Sequence, residues 1–422
     1  MSGLRILTAG ESHGPGLSVI IEGLPAGLSI DRQEIDRQLQ RRQKGYGRGK
    51  RMKLERDEVQ VLSGLRFGKT LGSPLTLFIA NRDNASHAAA MDAWKAEPGL
   101  SSVTVPRPGH ADLAGAVKHR YADLRNAAER ASARETAART AAGAVLRQLL
   151  AEFGVRIGSH VIRIHDAGAP GFDLQIADSQ DRTRGIETLC SRAEDSCVRC
   201  ADQAAEAAMR KAIDRALEQG DSVGGIFESA AWNVPFGLGG MMHWDRRLDA
   251  ALGAAFMSIP GVKSVEIGMG AASAACPGSK VHDIIEPDLN RRSNRAGGVE
   301  GGVSNGQPII VRAAMKPIPT LGSPLDSVDL QSGDKTKAPV FRADTCAVPA
   351  AAVVGEAMMA VVLTRAFIDA FGSDSLEAMK EGYDARKQWI EKLLSAGSHG
   401  VRKDHGGPKG RPNDEPDLHR YR

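Results

Sequence analysis

The chain has 422 residues, enough for a large hydrophobic core in one large domain or two ordinary ones. Its hydrophobic fraction of 42 % and charged fraction of 25 % are those of a globular protein, and a formal net charge of +4 excludes a polycation overall. The five cysteines, Cys190, Cys197, Cys200, Cys276 and Cys346, are odd in number and sparse, which argues against a disulfide framework and for a reducing compartment.

Leu4 to Thr8 and Leu17 to Ile21 read as strands flanking the tight segment Gly10-Glu11-Ser12-His13-Gly14. The apolar run before Glu11 is too short for a signal peptide, so a cytoplasmic location is expected. A helix is predicted from Asp31 to Arg42: Asp31 with Glu34 makes a capping-box pattern, Ile35 and Leu39 share a face, and Gly45 stops it. The stretch from Arg37 to Arg56 is densely basic, with Glu55 as its one acid, and such a cluster attracts an anion. Val59 to Leu62 and Leu75 to Ile79 are further predicted strands.

Ala127 to Phe153 reads as one long Ala-rich helix ended by Gly154, with Gly143 permitting a close backbone approach. Val155 to Ile164 alternates like a strand, and Ala204 to Gln219 and Arg246 to Met257 read as helices. Val348 to Phe371 is strongly apolar but interrupted by Glu356, Arg365 and Asp369. Its pattern is that of a buried helix and not a membrane span, with Pro349 at its start and Gly372 past its end. Residues 397–422 are polar and rich in Gly and Pro, and are expected to be a disordered tail. Helices and strands interleave without regular alternation, which favours α+β over a doubly wound sheet.

Several familiar motifs fail on spacing or context. Gly10-Glu11-Ser12-His13-Gly14 matches the serine-hydrolase elbow literally, but that motif requires a helix after the bend, and a strand follows here. Gly64 to Thr70 is one residue short of a phosphate-binding loop, and Gly45 to Gly49 follows a helix, unlike a dinucleotide fingerprint. Cys197 and Cys200 lack the further ligands zinc needs, so no metal is expected there. Tyr46 is the one aromatic within the basic stretch, which argues against base stacking and nucleic-acid binding.

What remains is a set of reactive residues on glycine turns. Glu11-Ser12-His13 lies in a bend, and Arg107-Pro108-Gly109-His110-Ala111-Asp112 carries a second histidine. The run Arg130 to Thr136 lies near a helix start, and Gly297 to Gly306, Lys316 to Thr320 and Arg342-Ala343-Asp344 follow. Two loop histidines, a loop aspartate, a basic cluster and a Gly-rich segment outline a site for a multiply anionic ligand and acid–base work.

In their order and spacing, these blocks resemble the signatures of the chorismate synthase family. The blocks are Gly10 to Gly14, Arg41 to Gly49, Arg107 to Asp112, Ala131 to Ala137, Gly301 to Gln307 and Arg342 to Asp344, and the likeness spans about residues 4–385. The resemblance implies a carbon–oxygen lyase domain over residues 1–396. Its reaction would be reduced-FMN-dependent elimination of phosphate from 5-enolpyruvylshikimate-3-phosphate. It also implies a β-α-β sandwich with helices between antiparallel sheets, and a homotetramer. It assigns His13 as the acid near the departing phosphate, His110 to flavin protonation, and Asp344 to assisting flavin N5 in taking up the ring proton. Arg42, Arg48 and Arg134 match residues for substrate anions or a nicotinamide dinucleotide phosphate. Flavin contacts are implied at Arg130, Ala131, Ser132, Pro260, Gly261, Gly301, Lys316, Pro317, Ile318, Pro319, Thr320 and Arg342. Ala131 replaces the family's frequent Ser, and Pro260 has no N–H to donate. External reduction of FMN is the expected mode.

Overall fold

The structure, a computed structural model, describes residues 3–49, 56–340 and 344–399, with side chains to residue 394. Residues up to Gly382 form one compact unit, and a second begins at Tyr383. The first sheet comprises β1 (Arg5–Ala9), β2 (Gly16–Glu22), β3 (Val59–Ser63) and β4 (Leu75–Ala80). Its order is β1-β2-β4-β3, and all pairs are antiparallel. Alternation sets its buried face: Leu17, Val19 and Ile21 on β2 pair with Ile79, Leu77 and Leu75 on β4, and all six are buried.

The second sheet contains β5 (Arg156–Ile164), β6 (Ala167–Gly168), β7 (Gly225–Trp232), β8 (Val262–Ile267) and β9 (Ile309–Met315). Its order is β8-β9-β7-β5-β6, again antiparallel. The helices of the first unit include α1 (Arg32–Gln43), α2 (Asp112–His119), α3 (Arg125–Arg130) and α4 (Thr136–Ala151). They continue with α5 (Ser179–Asp195), α6 (Gln203–Glu218), α7 (Leu248–Met257) and α8 (Val348–Phe371). Helices plus antiparallel sheets make this an α+β protein, as the sequence pattern indicates.

One expectation needs correction. The predicted helix from Ala127 to Phe153 is broken: α3 ends at Arg130, Ser132 is extended and accepts a hydrogen bond from the Arg134 N–H, and a short 3-10 turn (Ala133–Glu135) leads into α4. Ser132 acts as an N-cap and competes with helix continuation, a preference that the alanines around it mask. A further helix, α9 (Leu376–His399), follows α8, and residues 400–422 of the expected tail lie outside the described residues. The segment Gly64 to Thr70 is a hairpin, with Phe67 and Gly68 both at positive φ.

Helix α4 packs on β2, β4 and α8, and α8 packs on β5 and β7. The α4–α8 contact is a backbone approach. A Cβ on Gly143 would sit 2.3 Å from Ala357 Cβ and 2.5 Å from its Cα. The apolar α8 meets the length and composition of a membrane span, yet 89 % of that stretch is buried inside the protein, which makes it a core helix.

Glu356 lies in the middle of α8. Its carboxylate accepts from Arg41 Nη1 at 2.7 Å and Nη2 at 2.9 Å, from Ser159 Oγ at 2.6 Å, from Arg199 Nη2 at 3.2 Å, and from Arg147. Burial alone would raise its pKa, but the surrounding arginines, Arg41 and Arg147 foremost, hold it well below the carboxylate range. Glu194 also binds Arg41; burial opposes, yet Arg41 and Arg199 lower it to about 2.

The depressed value at Glu356 gives stability that is complete above the unfolded carboxylate value of 4.5 and is lost as pH falls toward the folded one. Glu356→Gln is expected to lower unfolding free energy by about 3–5 kcal/mol, because it strands buried arginines. It should also flatten the acid limb of a stability–pH profile measured by urea unfolding. Gly143→Ala should cost about 1–3 kcal/mol through overpacking, read as a lower Tm.

Candidate active site

A cavity of about 910 Å³ opens among the first sheet's loops, the start of α8 and the ends of β8 and β9. His13 enters it from the β1–β2 turn. The His13 N–H donates to Glu129 Oε2 at 2.7 Å, and its Nδ1 lies 2.7 Å from Glu129 Oε1. Glu129 belongs to α3, so the short helix before the Ser132 break exists in part to aim one imidazole. Asp83 Oδ2 lies 3.9 Å from His13 Nε2, and the His87 ring is 4.2 Å from the His13 ring.

His110 has a parallel arrangement. Its Nδ1 lies 2.5 Å from Asp112 Oδ1, at the first turn of α2. Arg107 clamps the same carboxylate, through Nε at 2.8 Å, Nη2 at 2.9 Å and its backbone N–H at 3.0 Å. Burial would raise Asp112, but the hydrogen bonds from His110 and Arg107 outweigh it and hold it well below the carboxylate range. Asp112 is therefore an anion at neutral pH and accepts the Nδ1–H, which leaves Nε2 as the nitrogen that meets a ligand. Arg107 Nη2, at 3.1 Å from Nδ1, is then a contact and not a donor to that nitrogen.

Asp344 accepts from the Gly49 N–H at 2.6 Å and pairs with Arg48 Nη1 at 2.9 Å. The two chain segments meet because the Thr345 N–H donates to Gly47 O at 2.7 Å. Gly47 has φ +81, and a Cβ there would lie 2.8 Å from Ile213 Cγ2, so glycine is required on both counts.

The anion-binding corner is built on one buried carboxylate. Asp57, fully buried, accepts from Arg134 Nη1 at 2.7 Å through both oxygens and lies 3.7 Å from Arg42 Nη1. Arg42 also donates from Nε to Thr136 Oγ1 at 2.9 Å and from Nη2 to Ala133 O at 3.0 Å. Its Nη1 is buried with no hydrogen-bond partner among the described residues. Burial, partly offset by Asp57 and reinforced by Arg134 and Arg48, lowers the Arg42 guanidinium to about 9. Around the described cavity wall, Arg42, Arg48, Arg107, Arg125, Arg134, Lys263 and Lys316 face four carboxylates, Asp83, Asp112, Glu129 and Asp344. That excess of cations, with an orphaned N–H, fits an anionic ligand.

The cavity gathers His13, His110, Asp344, Arg42, Arg48, Arg134, Ser132, Pro260, Gly261 and Lys316 to Thr320, all selected from the sequence. Lys316 Nζ is tied to Gly109 O at 2.6 Å, which fixes the His110 loop to the segment after β9. Three other selected residues lie outside the wall. Arg130 donates to Thr8 O and Gly10 O, each at 3.0 Å, and braces the β1–β2 turn. Ala131 caps α3, and Gly301 turns the hairpin Val299–Glu300/Val303–Ser304 at φ +59. Arg342 lies outside the described residues.

Sequence reasoning missed Glu129, Asp112, Asp57, Asp83 and His87 as members of the site. Asp112 was visible two residues after His110; the others carry no local signal, because their partners are distant in the chain. Within the basic stretch, Arg41 and Arg42 are buried. Ser12 is buried and accepts from Ser132 Oγ at 3.1 Å, and β2 follows its turn, so the hydrolase elbow is absent here.

An α+β fold holding two carboxylate-backed imidazoles over a cation-rich cavity defines an acid–base enzyme for a multiply anionic small molecule. The family model for chorismate synthase matches residues 4–368. Chorismate synthase of Desulforudis audaxviator is 52 % identical over 395 residues, covering 92 % of this chain and 98 % of that one. That of Desulforamulus reducens is 51 % identical over 398 residues, covering 92 % and 100 %. A crystal structure of chorismate synthase superposes with a TM-score of 0.73 at 41 % identity, covering 93 % of this chain and 98 % of that one. The chain belongs to the chorismate synthase family. Its activity is the family's carbon–oxygen lyase reaction, loss of phosphate from 5-enolpyruvylshikimate-3-phosphate to give chorismate.

Asp57→Asn leaves Arg134 and Arg42 without their shared anion. The expected cost is about 3–5 kcal/mol in urea unfolding, partly restored by added inorganic phosphate.

Proposed function

We propose that 5-enolpyruvylshikimate-3-phosphate and reduced FMN share the 910 Å³ cavity, and that its residues run a redox-neutral elimination. The volume lies at the upper end of small-molecule sites, as two ligands require. The observation that carries the reading is the meeting, in one cation-rich cavity, of His13 on Glu129, His110 on Asp112 and Asp344 on Arg48.

Arg42, Arg48 and Arg134 take the substrate's phosphate and carboxylates, the Arg42 Nη1–H being the unused donor. Ser132, Pro260, Gly261 and the Lys316 to Thr320 run hold the flavin, with Arg342 added from sequence. Gly261 O accepts from the Lys316 N–H at 2.9 Å, so the two flavin segments support one another. Pro260 offers packing and no donor. Bound reduced flavin supplies the electron-rich ring system that the family's chemistry needs.

His13 gives a proton to the departing phosphate from Nε2, its Nδ1 being fixed on Glu129. His110 Nε2 governs the protonation of the bound flavin, and Asp344 assists uptake of the ring proton. Atoms balance: the ring loses one proton and one phosphate, and no net oxidation occurs.

The β-α-β sandwich is supported by α4 lying on the first sheet and α8 on the second. A homotetramer is supported by the exposed Met241, Met242 and Trp244. A cytoplasmic catalytic domain over residues 1–396, with reductant supplied from outside, completes the reading.

The test is anaerobic. Photoreduced FMN with 5-enolpyruvylshikimate-3-phosphate should give chorismate and phosphate, and oxidised FMN with NADPH should give none. Protein that ignores reduced FMN would end the proposal. His110→Ala and Asp344→Ala should each slow turnover at least ~100-fold with an unchanged circular dichroism spectrum; normal turnover in either removes that residue from the mechanism.

A further inference from the structure

Beside His13 lies a group of ligating side chains larger than an acid catalyst needs. His13, Asp83 and His87 each place one ligand atom within 4.8 Å of the others, and all three are half-buried. Asp83 sits between the imidazoles: Oδ2 is 3.9 Å from His13 Nε2, and Oδ1 is 3.9 Å from His87 Nδ1. The rings are 4.2 Å apart and inclined by 32°. We propose that these three residues form a site for a divalent transition-metal ion of the zinc class, with a fourth position left for water or a phosphate oxygen.

The surroundings are those of a metal centre. Tetrahedral zinc with nitrogen and oxygen ligands holds them about 3.4 Å apart, so ligand atoms that lie within 4.8 Å of one another need to close by at most about 1.4 Å. Glu129 at His13 Nδ1 is the carboxylate that, in metal sites, fixes the tautomer and directs Nε2 to the ion. The backbone is clamped as well: Asn84 Nδ2 donates to His13 O at 2.8 Å, and the His13 N–H donates to Glu129. Asp83 lies in a short 3-10 turn (Arg82–Ser86), and His87 follows its end, its Nδ1 held by Ser86 Oγ at 2.9 Å and by Asp83 O at 3.1 Å, which leaves Nε2 for the ion. Two neutral imidazoles and one carboxylate suit zinc, nickel or copper; magnesium and calcium call for oxygen ligands.

The metal and the working proton compete for the same His13 nitrogen, so a filled site silences the acid. That consequence rests on the proposed role of His13, whereas binding itself does not.

The experiment titrates the full chain, without an affinity tag, with Co²⁺ and then Zn²⁺. Expected are one Co²⁺ per chain with visible ligand-field bands, displacement by Zn²⁺, and at least ~10-fold weaker binding in His87→Ala. Cys197→Ser, which removes the exposed thiol beside Glu206, should bind as the parent does. If His87→Ala does not fold, Asp83→Asn serves the same purpose. Absent bands, binding indifferent to His87→Ala, or binding lost in Cys197→Ser would overturn the site. In the anaerobic assay Zn²⁺ should inhibit and EDTA should restore turnover. Stoichiometric binding with undiminished turnover would keep the site and remove His13 as the acid.

Discussion

The interior of this protein is organised around a negative charge. Glu356, in an otherwise apolar helix, gathers Arg41 from α1, Arg147 from α4, Arg199 from the segment after α5, and Ser159 from β5. Four parts of the chain are thereby pinned to one carboxylate. The arrangement is costly to desolvate and costly to break, which makes it a device for uniqueness of packing more than for raw stability. Its bearing on the site is direct. Arg41 and Arg42 are neighbours at the end of α1, and anchoring the first on Glu356 fixes where the second meets Asp57 and the cavity.

The same logic recurs at the catalytic end on a smaller scale. Each histidine is held through Nδ1 by a carboxylate, His13 by the distant Glu129 and His110 by Asp112 two residues on, and the third reactive group is held by an arginine and a backbone N–H. No lone side chain is asked to orient itself. The supporting carboxylates come from helix ends, so the break at Ser132 and the start of α2 are functional placements and not incidental irregularities.

Much of this was legible in the sequence, and the reasons are uneven. Helix α1 could be read from Asp31, whose side chain does accept from the Gln33 N–H, and α8 from Pro349 and Gly372. Alternating strands such as β2 and β4 were visible by period. The cavity's membership came from resemblance to a family, because spacing alone does not bring residues 13, 110 and 344 together. Asp57 and Glu129 stayed hidden, since a carboxylate in a charged stretch looks solvated until its distant arginine or histidine is known. The α3–α4 break was missed because alanine propensity outweighs one serine in any windowed reading.

The bond from Thr345 to Gly47 joins two parts of the chain made far apart in time. Gly49 and Asp344 are 295 positions apart, yet they share a hydrogen bond at the heart of the site. During synthesis the basic loop must therefore wait, already outside the ribosome, for most of the polypeptide to follow before its partner arrives. Contacts of such sequence separation are slow to close. A polypeptide cut short anywhere before that aspartate would bury its arginines without the partner that completes them, and would be catalytically silent however well its first sheet had formed.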